Sequence, residues 1–187
     1  MKPLIILRNF LIFCLFSGLF SSCSRADEDE DVLSQEDISN IILKVKDDVT
    51  GITKTYNYTV NSPANPVLNL ENGKIYTVNA VFLNGNEDET QSIIEAKDEH
   101  FLLFNFQNSE VNLTRIDEES SIRSDKKRVG LKTKWQVIDA VTGSNPQLVL
   151  TVIHDATSVK EEKDGSVFGS AVGGETDAMA TYTISEN

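Results

Sequence analysis

Ile75-Tyr76-Thr77-Val78-Asn79-Ala80-Val81-Phe82-Leu83 is the stretch on which the fold turns. Tyr76, Val78, Ala80 and Phe82 share one face, and Thr77 and Asn79 fall on the other. A two-residue apolar period marks a strand with one buried side. Working back toward the N-terminus, Glu71-Asn72-Gly73-Lys74 is a turn signal and Val67–Leu70 a short strand. Residues 61–66 hold Pro63 and Pro66 and predict a loop. Ile52–Val60 alternates with Tyr56, Tyr58 and Val60 inward, and Ile41, Leu43 and Val45 line one face of another strand. Asp47-Asp48-Val49-Thr50-Gly51 joins these two as a hairpin turn.

Downstream, residues 84–89 form an acidic loop, and Thr90–His100 changes to helical spacing through Ile93, Ile94 and Lys97. Phe101–Phe106 and Val111–Ile116 return to strand character, and residues 117–128 are a charged loop. Leu131, Thr133, Trp135 and Val137 alternate with Lys132, Lys134 and Gln136, which places Trp135 in the core. Leu148–His154 is apolar on both faces at first, as a central strand would be. Residues 156–175 read as a long Gly- and Ser-containing loop, and Thr176–Ile184 closes the sheet. There is no βαβ rhythm. The predicted fold is all-β: an immunoglobulin-like antiparallel β-sandwich of about seven or eight strands with one short helix, over residues 37–187.

The segment before this domain has a different character. Lys2 and Arg8 precede an apolar run, Phe10–Phe20, that suits a signal peptide and is too short to span a bilayer as a helix. The run ends Leu19-Phe20-Ser21-Ser22-Cys23-Ser24, the spacing required by lipoprotein signal peptidase. Residues 1–22 are therefore expected to be removed and Cys23 to be acylated, leaving residues 23–36 as a lipidated, disordered acidic tether. More than one acyl chain is needed for stable anchoring, and bacterial lipoproteins carry three. Ser24 after the cysteine argues against inner-membrane retention. The run Asp27-Glu28-Asp29-Glu30-Asp31 resembles the acidic export signal of surface lipoproteins of the Bacteroidota. The expected location is the outer membrane, lipid-anchored and exposed at the cell surface.

The chain holds two cysteines, Cys14 and Cys23, so the predicted domain has none and no disulfide or thiolate metal site. Its formal net charge is −12, more negative still once Lys2 and Arg8 leave with the leader. That balance argues against nucleic acid as a partner. There is no Gly-x-Ser-x-Gly elbow, phosphate loop or dinucleotide fingerprint, and the reading is non-enzymatic.

The two histidines, His100 and His154, are the candidates for metal chemistry. Glu99 lies beside the first, and a hairpin would bring His154 close to Glu175 and Asp177. Imidazole with two or three carboxylates suits zinc or a similar divalent ion, the one candidate cofactor. The alternative is structural: His154 and Asp177 hydrogen-bond to pin the long loop, and His100 lies at the surface. Asp155, Glu161, Glu162 and Asp164 lack the spacing of an EF-hand.

Several short motifs fall in a telling order: residues 79–84, Asp98-Glu99-His100-Phe101, Thr114-Arg115-Ile116-Asp117, Gly130-Leu131, Trp135, residues 150–154 and Gly173-Gly174-Glu175-Thr176-Asp177. In that order the chain resembles small Bacteroidota lipoproteins labelled type 1 periplasmic binding fold superfamily proteins. The resemblance covers most of the chain after Ile41. Such proteins are often encoded beside TonB-dependent outer-membrane receptors. Despite the label, the chain lacks the strand–helix alternation of a two-lobed periplasmic binding protein. The resemblance implies a surface-exposed binding module accessory to outer-membrane nutrient or metal uptake, with a TonB-dependent receptor as partner. The rival expectation is a structural or adhesive surface module binding glycan or protein.

Overall fold

The computed structural model describes residues 38–187. The predicted leader, Cys23 and the acidic tether lie outside the described residues. In chain order the strands are β1 (Asn40–Asp47), β2 (Thr53–Thr59), β3 (Val67–Leu70), β4 (Ile75–Asn84), β5 (Glu87–Asp88), β6 (His100–Gln107), β7 (Glu110–Arg115), β8 (Lys132–Asp139), β9 (Gln147–His154), β10 (Ser158–Asp164), β11 (Val167–Val172) and β12 (Glu175–Glu186). Among the described residues one α-helix, α1 (Thr90–Glu95), precedes β6. No helix among the described residues is long and apolar enough to cross a membrane.

The strands form two sheets, ordered β2-β1-β4-β8-β7, with β5 paired to β4, and β10-β11-β6-β9-β12-β3. The all-β sandwich is as expected, with β4 inside the first sheet. Its Tyr76, Val78, Ala80 and Phe82 are all buried, with Thr77, Asn79 and Val81 less so. Register follows the same alternation: Leu43 of β1 lies opposite Ala80, and Val45 opposite Val78. A one-residue slip would turn these apolar sets toward water, at about 1.5–3 kcal/mol per large side chain.

Trp135 joins the two layers. It lies on β8, fully buried, and meets Phe106 and Phe104 of β6 edge-on, with ring centroids 5.2 and 6.4 Å away. Its indole N–H donates to Thr133 Oγ1 at 2.8 Å, so the one polar atom of the ring is satisfied. Trp135→Ala is expected to cost about 3–5 kcal/mol, measured as the loss in unfolding free energy by urea titration. A loss below 1 kcal/mol would mean that the sandwich does not depend on this contact. Tyr182 of β12 makes a second tie, its hydroxyl donating to the Ile41 carbonyl of β1 at 2.7 Å.

Four expectations need correction. The sandwich has more strands than the seven or eight expected. Much of the excess comes from residues 156–175, which form the β10–β11 hairpin and not a loop. An edge hairpin needs little apolar surface: Val159 and Phe168 are buried while Lys160, Glu162 and Lys163 are exposed. Its two-residue turn, Gly165-Ser166, is a hairpin signal obscured by the polar flanks. Next, α1 stops at Glu95, and His100 opens β6 where the sequence reading ended a helix with it. Residues 96–99 turn instead, with the Glu99 N–H donating to Ala96 O at 3.0 Å. Finally, β12 does not close its sheet: β3 pairs with it in parallel, so the sandwich is not purely antiparallel.

Candidate metal centre

On the inner side of the second sheet, β6 and β9 pair antiparallel as Phe106↔Leu148, Phe104↔Leu150 and Leu102↔Val152. These rungs are buried apolar pairs. The next rung in the same alternation is His100↔His154. Directly opposed residues project to one face, so register alone brings the two imidazoles together. Their ring centroids are 5.1 Å apart.

The carboxylate arrives through an irregularity. β12 pairs with β9 as Glu175↔His154 and Thr176↔Ile153, then shifts to Ala178↔Val152. Asp177 is the extra residue of this bulge, and it and Ala178 are buried in succession, which regular alternation forbids. The bulge places Asp177 Oδ2 3.6 Å from His100 Nε2 and Oδ1 3.9 Å from His154 Nδ1. Ligand atoms of His100, His154 and Asp177 lie within 4.8 Å of one another. His100 is 1%, Asp177 6% and His154 7% exposed.

The hydrogen bonds fix which ring atoms face the centre. His100 Nδ1 is 2.9 Å from the Ala96 carbonyl oxygen, which only accepts, so Nδ1 carries the proton and Nε2 presents a lone pair. His154 Nε2 lies 3.4 Å from Glu99 Oε2, and its Nδ1 faces Asp177 Oδ1 at 3.9 Å. Histidines that bind metals commonly donate the other ring N–H to a carbonyl or carboxylate. Both rings here have that arrangement. His100 Nε2 and Asp177 Oδ2 have no hydrogen-bond partner among the described residues. At 3.6 Å they are too far apart for a good hydrogen bond with each other. Around an ion with bonds of about 2.0–2.1 Å, tetrahedral ligand atoms sit about 3.3–3.4 Å apart, close to this separation.

Neighbouring residues hold the frame. Arg123 donates through Nη1 to the carbonyls of His100 at 2.9 Å and Lys97 at 3.3 Å. Asp98 accepts from the Ser124 N–H and hydroxyl at 2.5 and 2.6 Å, which holds its carboxyl below the usual range. The Asp155 N–H donates to Glu99 O at 2.8 Å.

Of the five residues proposed from sequence, the fold brings His100, His154 and Asp177 into one buried group and sets Glu99 against His154. It leaves out Glu175, which is exposed although its backbone pairs with His154. His100 is buried and not, as the structural alternative had it, at the surface. Sequence reasoning missed the Ala96 carbonyl, four residues before His100 in a stretch read as helix, and Arg123, whose role depends on a chain crossing that no local pattern records. Asp155 was considered only as a loop acid. No protein-family model, curated protein or solved structure matches the chain.

Proposed function

We propose that this protein is a non-enzymatic cell-envelope lipoprotein whose β-sandwich binds a divalent transition-metal ion through His100, His154 and Asp177. It serves as a surface-exposed accessory to outer-membrane nutrient or metal uptake, beside a TonB-dependent receptor. One observation carries the metal reading: His100 Nε2 and Asp177 Oδ2 are buried, have no hydrogen-bond partner among the described residues and face one another 3.6 Å apart. Buried polar atoms in native folds are almost always paired, and an orphaned pair of this kind needs a third body between them. Two imidazoles and one carboxylate suit zinc or a neighbouring first-row ion better than calcium or magnesium, which take oxygen ligands. The envelope location rests on residues 19–31 of the sequence and on the family resemblance.

Two measurements test this. Zinc titrated calorimetrically into residues 38–187 is expected to bind at one tight site, with calcium giving no comparable heat. Mass spectrometry of the native polypeptide is expected to find an acylated Cys23 as the first residue. No zinc heat at micromolar protein would remove the metal reading, and an intact Met1 would remove the anchor.

A further inference from the structure

We propose that the buried position is loaded through a second, solvent-facing metal position formed by Glu99, His154 and Asp155, with His154 serving both through its two ring nitrogens. This rests on the metal reading above. Ligand atoms of Glu99, His154 and Asp155 lie within 4.8 Å of one another, the same limit met by the buried trio. His154 is common to the two groups and is oriented between them. Its Nδ1 faces Asp177 Oδ1 at 3.9 Å, and its Nε2 faces Glu99 Oε2 at 3.4 Å.

The two groups differ in access to water. Every member of the inner trio is buried, whereas Asp155 is exposed and the Glu99 side chain is 42% exposed. A hydrated cation meets the carboxylates first, and they replace part of its water shell before it reaches nitrogen. The backbone is shaped to hold Asp155 there: its φ is +53°, and its N–H is tied to Glu99 O at 2.8 Å. Asp is among the few non-glycine residues enriched at positive φ.

His154 presents Nε2 to the outer group and Nδ1 to the inner one. The outer group thus speeds exchange in both directions without changing the final equilibrium.

Stopped-flow mixing with zinc tests this on wild type and Asp155→Asn. Asn tolerates the same backbone conformation but carries no charge. Association and dissociation are both expected to slow, on the order of tenfold, with the calorimetric Kd within about twofold of wild type. Raising NaCl should slow wild-type association more than that of the variant. If wild type binds zinc and D155N loads at the wild-type rate, the loading route is overturned while the buried site stands. If D155N loses affinity at an unchanged association rate, Asp155 is a ligand of the bound ion and the relay fails. If wild type binds no zinc, both proposals fall.

Discussion

Asp177→Asn is expected to abolish zinc-dependent stabilisation while leaving the metal-free fold as stable as wild type or more so. An ion that binds only the folded state adds about 2.7 kcal/mol at one hundred times its Kd. For a domain of this size that raises Tm by roughly 5–10 °C. The variant keeps the side-chain volume and replaces an anionic oxygen that has no hydrogen-bond partner among the described residues. If Asp177 were instead a structural partner of the histidines, the substitution would destabilise the metal-free protein by about 1–3 kcal/mol. The two readings therefore predict different results before any zinc is added. His100→Ala should also remove the zinc response, but at a cost to the metal-free fold, because it empties a buried position and frees the Ala96 carbonyl. Thermal unfolding of the three proteins with and without zinc decides the matter. A zinc-induced Tm shift in D177N equal to that of wild type would remove Asp177 from the site.

Gly130→Ala is expected to be among the most destabilising single substitutions, at about 2–5 kcal/mol. Arg115, on β7 of the first sheet, reaches into the second. Its Nη1 donates to Val129 O at 2.8 Å, and its Nη2 to Leu102 O at 2.6 Å and more weakly to Phe168 O at 3.4 Å. Its guanidinium stacks 4.3 Å from the centre of the Phe101 ring. Burial lowers its pKa to about 10. Gly130, at φ +104°, lies against this group: a Cβ there would sit 2.1 Å from Arg115 Nη1. Its N–H and that of Leu131 donate to Asp117 Oδ1 at 2.9 and 2.7 Å. A methyl group at Gly130 would combine backbone strain with displacement of a buried cation. Gly85→Ala is the control, because it too has positive φ but nothing within 4 Å of the added atom. Denaturant titrations should show G130A losing clearly more than G85A. Equal losses would mean that the Arg115 contact yields easily.

Both predictions use residues that the sequence reading singled out without knowing their roles. Thr114-Arg115-Ile116-Asp117 and Gly130-Leu131 entered through a resemblance; in the fold Arg115, Asp117, Gly130 and Leu131 become one buried clamp. No local signal announces that clamp, since an arginine on an alternating strand reads as an exposed charge. The histidines were legible as candidates because the chain has no others. That they oppose each other was not, because it depends on the pairing of β6 with β9.

By itself the sequence determined the β class, the inward faces of β1, β4 and β8, the core place of Trp135 and the central place of β9. All but the last follow from a two-residue period, and the last from a run apolar on both faces; both signals are local and survive any arrangement of strands. It also carries the whole case for the leader and Cys23. Only the tertiary structure decided that the ladder of apolar pairs ends in a rung of histidines, that a bulge substitutes Asp177 for Glu175 beside them, and that Arg115 spans the layers. Those outcomes depend on register between strands far apart in the chain. Register is set by the summed burial of whole faces, which no single stretch of residues encodes.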